Sequence, residues 1–255
     1  MVNIFLNGCC GRMGKAIANL CFNNPDYKIV AGGDIIENAN FDFPVYTSLN
    51  ECTEDFDVII DFSNAKAVPG VLEFALNRKK PFICCTTALS EETVSSLLDA
   101  SEKIAVFKSA NMSLGINMMI ELAKQATRIL YPDFDIEIVE AHHNRKLDAP
   151  SGTAMMIASA IDQEIPDNVE YVYDRHSVNK ARSKNEIGIS SIRGGNIVGD
   201  HSAMFISDEE ILTISHSAQT RDVFAKGALT AAKFMSGKEK GYFTMSDVIA
   251  QYIEE

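Results

Sequence analysis

Residues 2–7, VNIFLN, have the apolar centre Ile4-Phe5-Leu6, and FDVIIDFS at 56–63 has a continuous apolar centre. Such runs predict strands of a parallel sheet covered on both faces, where no side needs polar residues. YKIVAGGD (27–34), PFICCTT (81–87) and IAVFKSAN (104–111) read as further strands of that sheet. Helical spacing fills the gaps. RMGKAIANLCFNN puts Met13, Ile17, Leu20 and Cys21 on one face, AVPGVLEFALNRK carries Pro69 near its start, and SEETVSSLLDASEK offers Ser90 as N-cap. Strand and helix in alternation predict an α/β fold, a Rossmann-like doubly wound parallel sheet.

The pattern changes after residue 112. LGINMMIELAKQATRIL predicts a long helix, and DFDIEIVEAHH alternates polar and apolar residues as a strand with one wet face does. GTAMMIASAIDQE predicts another helix. IGISSIRGG, VGDHSAMFIS and EEILTISHSA follow as successive strands over 187–218. This second region reads as α+β with a mixed or antiparallel sheet. RDVFAKGALTAAKFMSGK predicts a closing helix and MSDVIAQYI a shorter one. No repeat or low-complexity linker separates the regions, so the boundary rests on the change of pattern.

Composition narrows the class. The 255 residues suffice for one large domain or two modest ones, and 46% hydrophobic with 23% charged residues is ordinary for a globular chain. The formal charge of −12 argues against nucleic acid and anionic membrane as partners. No apolar run reaches the roughly 18 residues that a membrane span requires. The first residues lack a basic stretch of the signal-peptide kind, so a cytoplasmic location is expected. The six cysteines, Cys9, Cys10, Cys21, Cys52, Cys84 and Cys85, have no zinc-ribbon spacing and read as reduced, mostly buried thiols.

GCCGRMG places Gly8, Gly11 and Gly14 three apart between an expected strand and helix. Glycines there let the backbone approach a ligand, and the helix N-terminus offers free N–H groups to a pyrophosphate. Asp34 ends the next strand, where a carboxylate would accept from an adenosine ribose. Ile35 and Ile36 follow, with no cation for a 2′-phosphate. These residues predict a preference for NADH over NADPH, with Arg12 as the one nearby cation to soften it.

The basic residues gather in one place. EAHHNRKLDAPSGTA, residues 140–154, holds His142, His143, Arg145 and Lys146 within five positions. On a continuing strand His142 and His143 would point to opposite faces, so a shared site requires the strand to end there. Ser151 reads as a helix N-cap, with Gly152 and Thr153 in the first turn. Cations beside a helix N-terminus suit a small anionic substrate. A metal is not expected, because no cysteines accompany the histidines and no H-E-x-x-H is present.

The same stretch closely resembles the E-x-H-H-x-x-K-x-D-A-P-S-G-T-A signature of the dihydrodipicolinate reductase (4-hydroxy-tetrahydrodipicolinate reductase) family. NGCCGRMG, DVIIDFS, CTT, SANMSLGIN and RGGNIVGDHSAMF look like further family segments in family order. The resemblance implies a two-domain enzyme of lysine and diaminopimelate synthesis. It reduces 4-hydroxy-tetrahydrodipicolinate to tetrahydrodipicolinate with NAD(P)H, and a small dicarboxylate is the substrate. Residues 1–112 and 220–255 would form the dinucleotide-binding domain, and 113–219 the substrate-binding domain whose sheet builds a homotetramer. His142 looks like the proton donor or acceptor and Lys146 like a second proton donor. His143, Ser151, Gly152 and Thr153 look like the substrate carboxylate site. Gly8, Cys9, Cys10, Gly11, Arg12, Met13, Asp34, Cys85, Thr86, Thr87, Ser109, Ala110, Asn111 and Met112 match cofactor-contacting segments. Cys9-Cys10, Cys85 and the SANM tetrapeptide depart from the usual residues, all on the dinucleotide side. Two rivals are a non-catalytic dinucleotide sensor, which leaves the histidine–lysine loop without a role, and a cysteine-thioester oxidoreductase, which needs a thiolate near a general base.

Overall fold

In the computed structural model, which describes residues 1–36, 41–177 and 179–254, the apolar runs form strands and the periodic stretches form helices. The chain divides into two units, Met1–Leu114 with Asp222–Glu255, and Gly115–Arg221.

The first unit begins with β1 (Val2–Asn7), α1 (Arg12–Phe22), β2 (Tyr27–Gly33) and β3 (Val45–Tyr46). β4 (Val58–Asp61), α2 (Val68–Arg78), β5 (Phe82–Cys84), α3 (Glu91–Ser101) and β6 (Ala105–Lys108) follow. The second unit holds α4 (Leu114–Leu130), β7 (Asp135–His142), α5 (Gly152–Asp162), β8 (Glu170–Val172), β9 (Glu186–Arg193), β10 (Gly199–Ile206) and β11 (Ile211–Ala218). The chain then returns to the first unit as α6 (Asp222–Met235), β12 (Gly241–Phe243) and α7 (Met245–Glu254).

The first sheet has strand order β12-β6-β5-β4-β1-β2-β3, and every pairing in it is parallel. Alternation along the buried strands feeds two cores. Ile4 and Leu6 join Ile60, Ile83 and Phe107 against α1, α6 and α7. Phe5 turns the other way with Ile59, Phe82 and Val106 against α2 and α3. The Phe5 ring packs tilted against Phe56, with centroids 5.3 Å apart, and against Phe74 at 5.1 Å, and each such ring removes about 150–250 Å² from water. Ser90 caps α3 as expected, its Oγ accepting from the Thr93 N–H at 3.2 Å. The strand order reverses between β1 and β4, which places a switch point at the carboxyl end of β1, where the glycine loop begins.

The second sheet runs β11-β10-β7-β9-β8. β10 is antiparallel to both β11 and β7, whereas β7, β9 and β8 are parallel, so the sheet is mixed. One face carries α4 and α5. Ile116, Ile120 and Ala123 of α4 and Ile157 and Ile161 of α5 pack on Ile136, Ile138, Ile187, Ile189 and Phe205. Three strands escape the sequence reading: β3, β8 and β12, of two or three residues each. Each lies at a sheet edge. Segments this short carry no periodicity, and the neighbouring strand's open edge supplies their hydrogen bonds.

Candidate active site

In the first unit the β1–α1 turn is built for close approach. Gly8 has φ +76°, a value that disfavours side chains, and a Cβ there would lie 2.7 Å from the Phe62 carbonyl oxygen. A Cβ at Gly14 would collide with the Gly8 carbonyl, so α1 can start this near β1 only with glycine. Gly11 is the N-cap of α1 and has no side chain to occupy the helix's first N–H groups. A cavity of about 610 Å³ opens over Gly8, Cys10, Gly11 and Asp34, with Ile35 and Ile36 on its rim. That volume lies in the range of ligand pockets. Asp34 follows β2, and its Oδ2 accepts from the Cys10 N–H at 2.9 Å. A bare helix N-terminus, a side-chain-free approach and a carboxylate at the end of the second strand fit a dinucleotide.

The other expected cofactor residues divide by burial. Arg12 is exposed at the start of α1, Thr87 and Ala110 are exposed, and Met13 is half-buried. Cys9, Cys85 and Met112 are buried. Thr86 is buried, and its hydroxyl donates to Asp61 Oδ2 at 2.7 Å. Ser109 donates from Oγ to the Asn111 carbonyl at 2.7 Å, and Asn111 Oδ1 accepts from the Ser113 N–H at 2.8 Å. Asp61, which the sequence reading omitted, also accepts from Asn7 Nδ2 at 2.7 Å. It ties β1, β4 and the segment after β5 together at the switch point.

Burial pushes the Cys9 thiol up to about 12, with the neighbouring Cys10 and Asp34 adding to it. Burial likewise pushes the Cys21 and Cys84 thiols up to about 11 and raises Cys52 and Cys85. These five thiols are poor nucleophiles, which counts against a cysteine-thioester mechanism.

In the second unit the basic loop sits at the end of β7. The strand stops at His142, and His143 begins the turn, so the two rings are not held to opposite faces of one strand. The alternation along β7 buries Ile136, Ile138, Glu140 and His142 on one side. A carboxylate in that apolar register must be satisfied. Arg193 at the end of β9 grips it, Nη2 donating to Oε1 at 2.7 Å and Nη1 to Oε2 at 2.9 Å. The Ser151 N–H donates to Oε1 at 3.1 Å. His142 Nδ1 lies 2.6 Å from Oε2. Burial alone would raise the Glu140 carboxyl, but hydrogen bonds from Arg193, Ser191 and His142 and the Arg193 charge hold it at about 2. An ionised Glu140 requires the proton on His142 Nδ1, which leaves Nε2 to exchange protons.

Ser151 caps α5 as expected, its Oγ accepting from the Ala154 N–H at 3.1 Å. The same Oγ lies 3.1 Å from Nε2 of His201, a buried ring edge-on to His142 with centroids 5.2 Å apart. Burial, reinforced by the His142 charge, lowers His201 to about 4, so His201 stays neutral near pH 7. Gly152 is exposed and Thr153 half-buried in the first turn of α5. His143 is half-buried and its Nδ1 has no protein partner. Burial lowers its basicity, and the charges of Arg145, Arg221, His142 and Lys146 add to that. Lys146 pairs with Asp148 at 2.8 Å. The structure therefore gathers His142, His143, Lys146, Ser151, Gly152 and Thr153 around the strand end and helix start, and adds Glu140, Arg193 and His201. Glu140 was legible as a polar residue on the buried register of β7. Arg193 and His201 lie in RGGNIVGDHSAMF, which resembles a family segment, but no periodicity or spacing there points to Glu140 or Ser151.

A family model described as dihydrodipicolinate reductase, N-terminus, matches residues 2–112, and one described as dihydrodipicolinate reductase, C-terminus, matches residues 115–249. The 4-hydroxy-tetrahydrodipicolinate reductase of Caldanaerobacter subterraneus subsp. tengcongensis is 51% identical over 249 residues, 98% of each chain. The Clostridium tetani protein of the same name is 44% identical over 245 residues, 96% of each chain. Among solved structures, a dipicolinate-bound dihydrodipicolinate reductase from Paenisporosarcina sp. TG-14 has a TM-score of 0.82 over 95% of this chain and 98% of that one. At 23% identity it is a likeness of fold. Both halves of the sequence match the same family, and the chain belongs to the dihydrodipicolinate reductase family.

Proposed function

We propose that the protein reduces 4-hydroxy-tetrahydrodipicolinate to tetrahydrodipicolinate, taking up a hydride and a proton and releasing water, with NADH preferred over NADPH. The observation that carries this reading is His142, fixed through Nδ1 by an ionised Glu140 beside the capped N-terminus of α5. A bound nicotinamide supplies the hydride.

The chain's own residues do the rest. Gly8 and Gly11 with the start of α1 hold the pyrophosphate, and Asp34 accepts from the adenosine ribose. His142 Nε2 exchanges the proton, and Glu140 holds the ring in place through Nδ1. A positioned acid of this kind contributes about 10²–10⁴-fold. Lys146 acts mainly through its charge, drawing negative charge that develops on the substrate. His143, the Ser151 hydroxyl and the first N–H groups of α5 hold the substrate carboxylates. Asp34 would repel a 2′-phosphate, and exposed Ile35 and Ile36 offer it no cation. The second unit's sheet builds a homotetramer. No helix among the described residues is long and apolar enough to cross a membrane.

The test supplies the purified protein with the fresh condensation product of pyruvate and aspartate semialdehyde and follows NADH and NADPH oxidation separately. Turnover with a higher kcat/KM for NADH is expected. Cofactor binding without turnover would favour a dinucleotide sensor. A higher kcat/KM for NADPH would refute the role given to Asp34 and Ile35.

A further inference from the structure

The thiol groups of the vicinal Cys9 and Cys10 are given no chemical step in that reaction, and their geometry is specific. The two sulfurs lie 4.0 Å apart. Together with the Asp34 carboxylate, their donor atoms lie within 4.8 Å of one another, a grouping of three metal-binding side chains among the described residues.

Two fates compete for such a pair. A disulfide needs sulfurs about 2.05 Å apart and Cα atoms usually about 4.4–6.8 Å apart, whereas neighbours across a trans peptide hold their Cα atoms at about 3.8 Å. The pair is poorly placed to close on itself. Two thiolates each about 2.3 Å from one tetrahedral zinc ion lie roughly 3.8 Å apart, close to the spacing observed. Asp34 Oδ2 accepts from the Cys10 N–H, and a carboxylate oxygen of Asp34 lies within reach of both sulfurs. Cys10 and Asp34 line the cavity above the glycine loop, so an ion reaches them from solvent. Cys9 Sγ lies behind them, packed against Gly32 of β2.

We propose that Cys9, Cys10 and Asp34 form an inhibitory site for a soft divalent ion, of the Zn²⁺ or Cd²⁺ class, whose binding closes the glycine loop to the dinucleotide. Thiolate sulfur selects such ions over Mg²⁺ and Ca²⁺. Two metal–sulfur bonds form, each thiol releases its proton to the buffer, and no electron moves. The ion takes the Asp34 carboxylate away from the ribose hydroxyls assigned to it above, so metal and cofactor exclude each other. It is an inhibitor and has no part in the reduction. Only the competition rests on the proposed function; the coordination does not.

The experiment titrates Cd²⁺ into the reduced full-length protein and reads the sulfur-to-metal charge-transfer absorption, while NADH binding is followed by fluorescence. One ion per chain is expected. Cys10→Ser should weaken it by more than ~100-fold, since losing even an outer-shell partner of a metal site costs about 10–100-fold. Asp34→Asn, which keeps both sulfurs, should weaken the ion and retain the band. The apparent Kd for NADH should rise with Cd²⁺ in the native protein, and should not respond to Cd²⁺ in Cys10→Ser or to Mg²⁺ in either. No band, or a band of equal affinity in Cys10→Ser, would overturn the site. A band with an NADH affinity that Cd²⁺ leaves unmoved would overturn the exclusion. The absorption needs no dinucleotide, so a failed ion site and a failed cofactor reading give different results.

Discussion

His142 and Glu140 work as a unit because one carboxylate oxygen fixes the tautomer of the ring. His142→Ala should lower kcat by about 10²–10⁴-fold, the range for losing a positioned acid. Lys146→Ala should damage both kcat and KM, because the proposed role has its charge meet the substrate before and during reaction. Steady-state kinetics on the two variants check this, and near-normal turnover in both would remove the assignment. The buried groups also set a pH dependence. Glu140 titrates near 2 in the folded chain against an ordinary 4.5, so the unfolded chain binds the proton first. Its contribution is complete above about 4.5 and is lost as the pH falls towards 2. His201 moves from 6.5 to about 4, with the same sign: stability is present above 6.5 and lost as the pH falls towards 4. His143 and His216 are lowered in the same direction. Thermal melts should therefore show Tm falling from pH 6.5 to 4, and His201→Asn should shrink that slope. A Tm independent of pH across this window would contradict it.

At the scale of elements, two turns position the chemistry. Ser151 serves α5 as N-cap and lies against His201. Ser151→Ala should cost about 1 kcal/mol of stability for the cap and raise KM, read from denaturant unfolding and kinetics on one preparation. Gly14→Ala forces a methyl group into the Gly8 carbonyl. Overpacking of that kind costs about 1–3 kcal/mol, and the displaced loop should lose NADH affinity, measurable by fluorescence titration. Long elements were legible in the sequence because their periodicity repeats: α4 spans the stretch read as a helix, and β7 shows the expected alternation. β3, β8 and β12 were not legible, because two or three residues hold less than one repeat of any pattern.

At the scale of the whole molecule, each unit leaves something for association or ligand to complete. β11 is an edge strand, with Ile211 and Leu212 59% and 43% exposed. An open edge bearing large apolar residues invites pairing with another chain, which supports the homotetramer proposed above. Light scattering should give four chains per particle, and Leu212→Lys should lower that number. A monomeric native protein would refute the assembly.

The amino-acid sequence by itself determined the two kinds of region, the glycine turn between β1 and α1, the capped start of α5 and the basic loop before it. All of these are written in neighbouring residues, as period, cap or spacing. Only the tertiary structure decided that β12 adds to the edge formed by β6, that Asp34 reaches back to the Cys10 amide, and that Arg193 closes on Glu140 across 53 positions. Such pairs depend on which strands lie side by side, and strand order is set by packing across the whole chain, so local pattern carries no trace of it. The histidine proposed to carry the proton and the Glu140 carboxylate beside it were visible in the sequence; the Arg193 guanidinium that holds that carboxylate was brought to it by the fold.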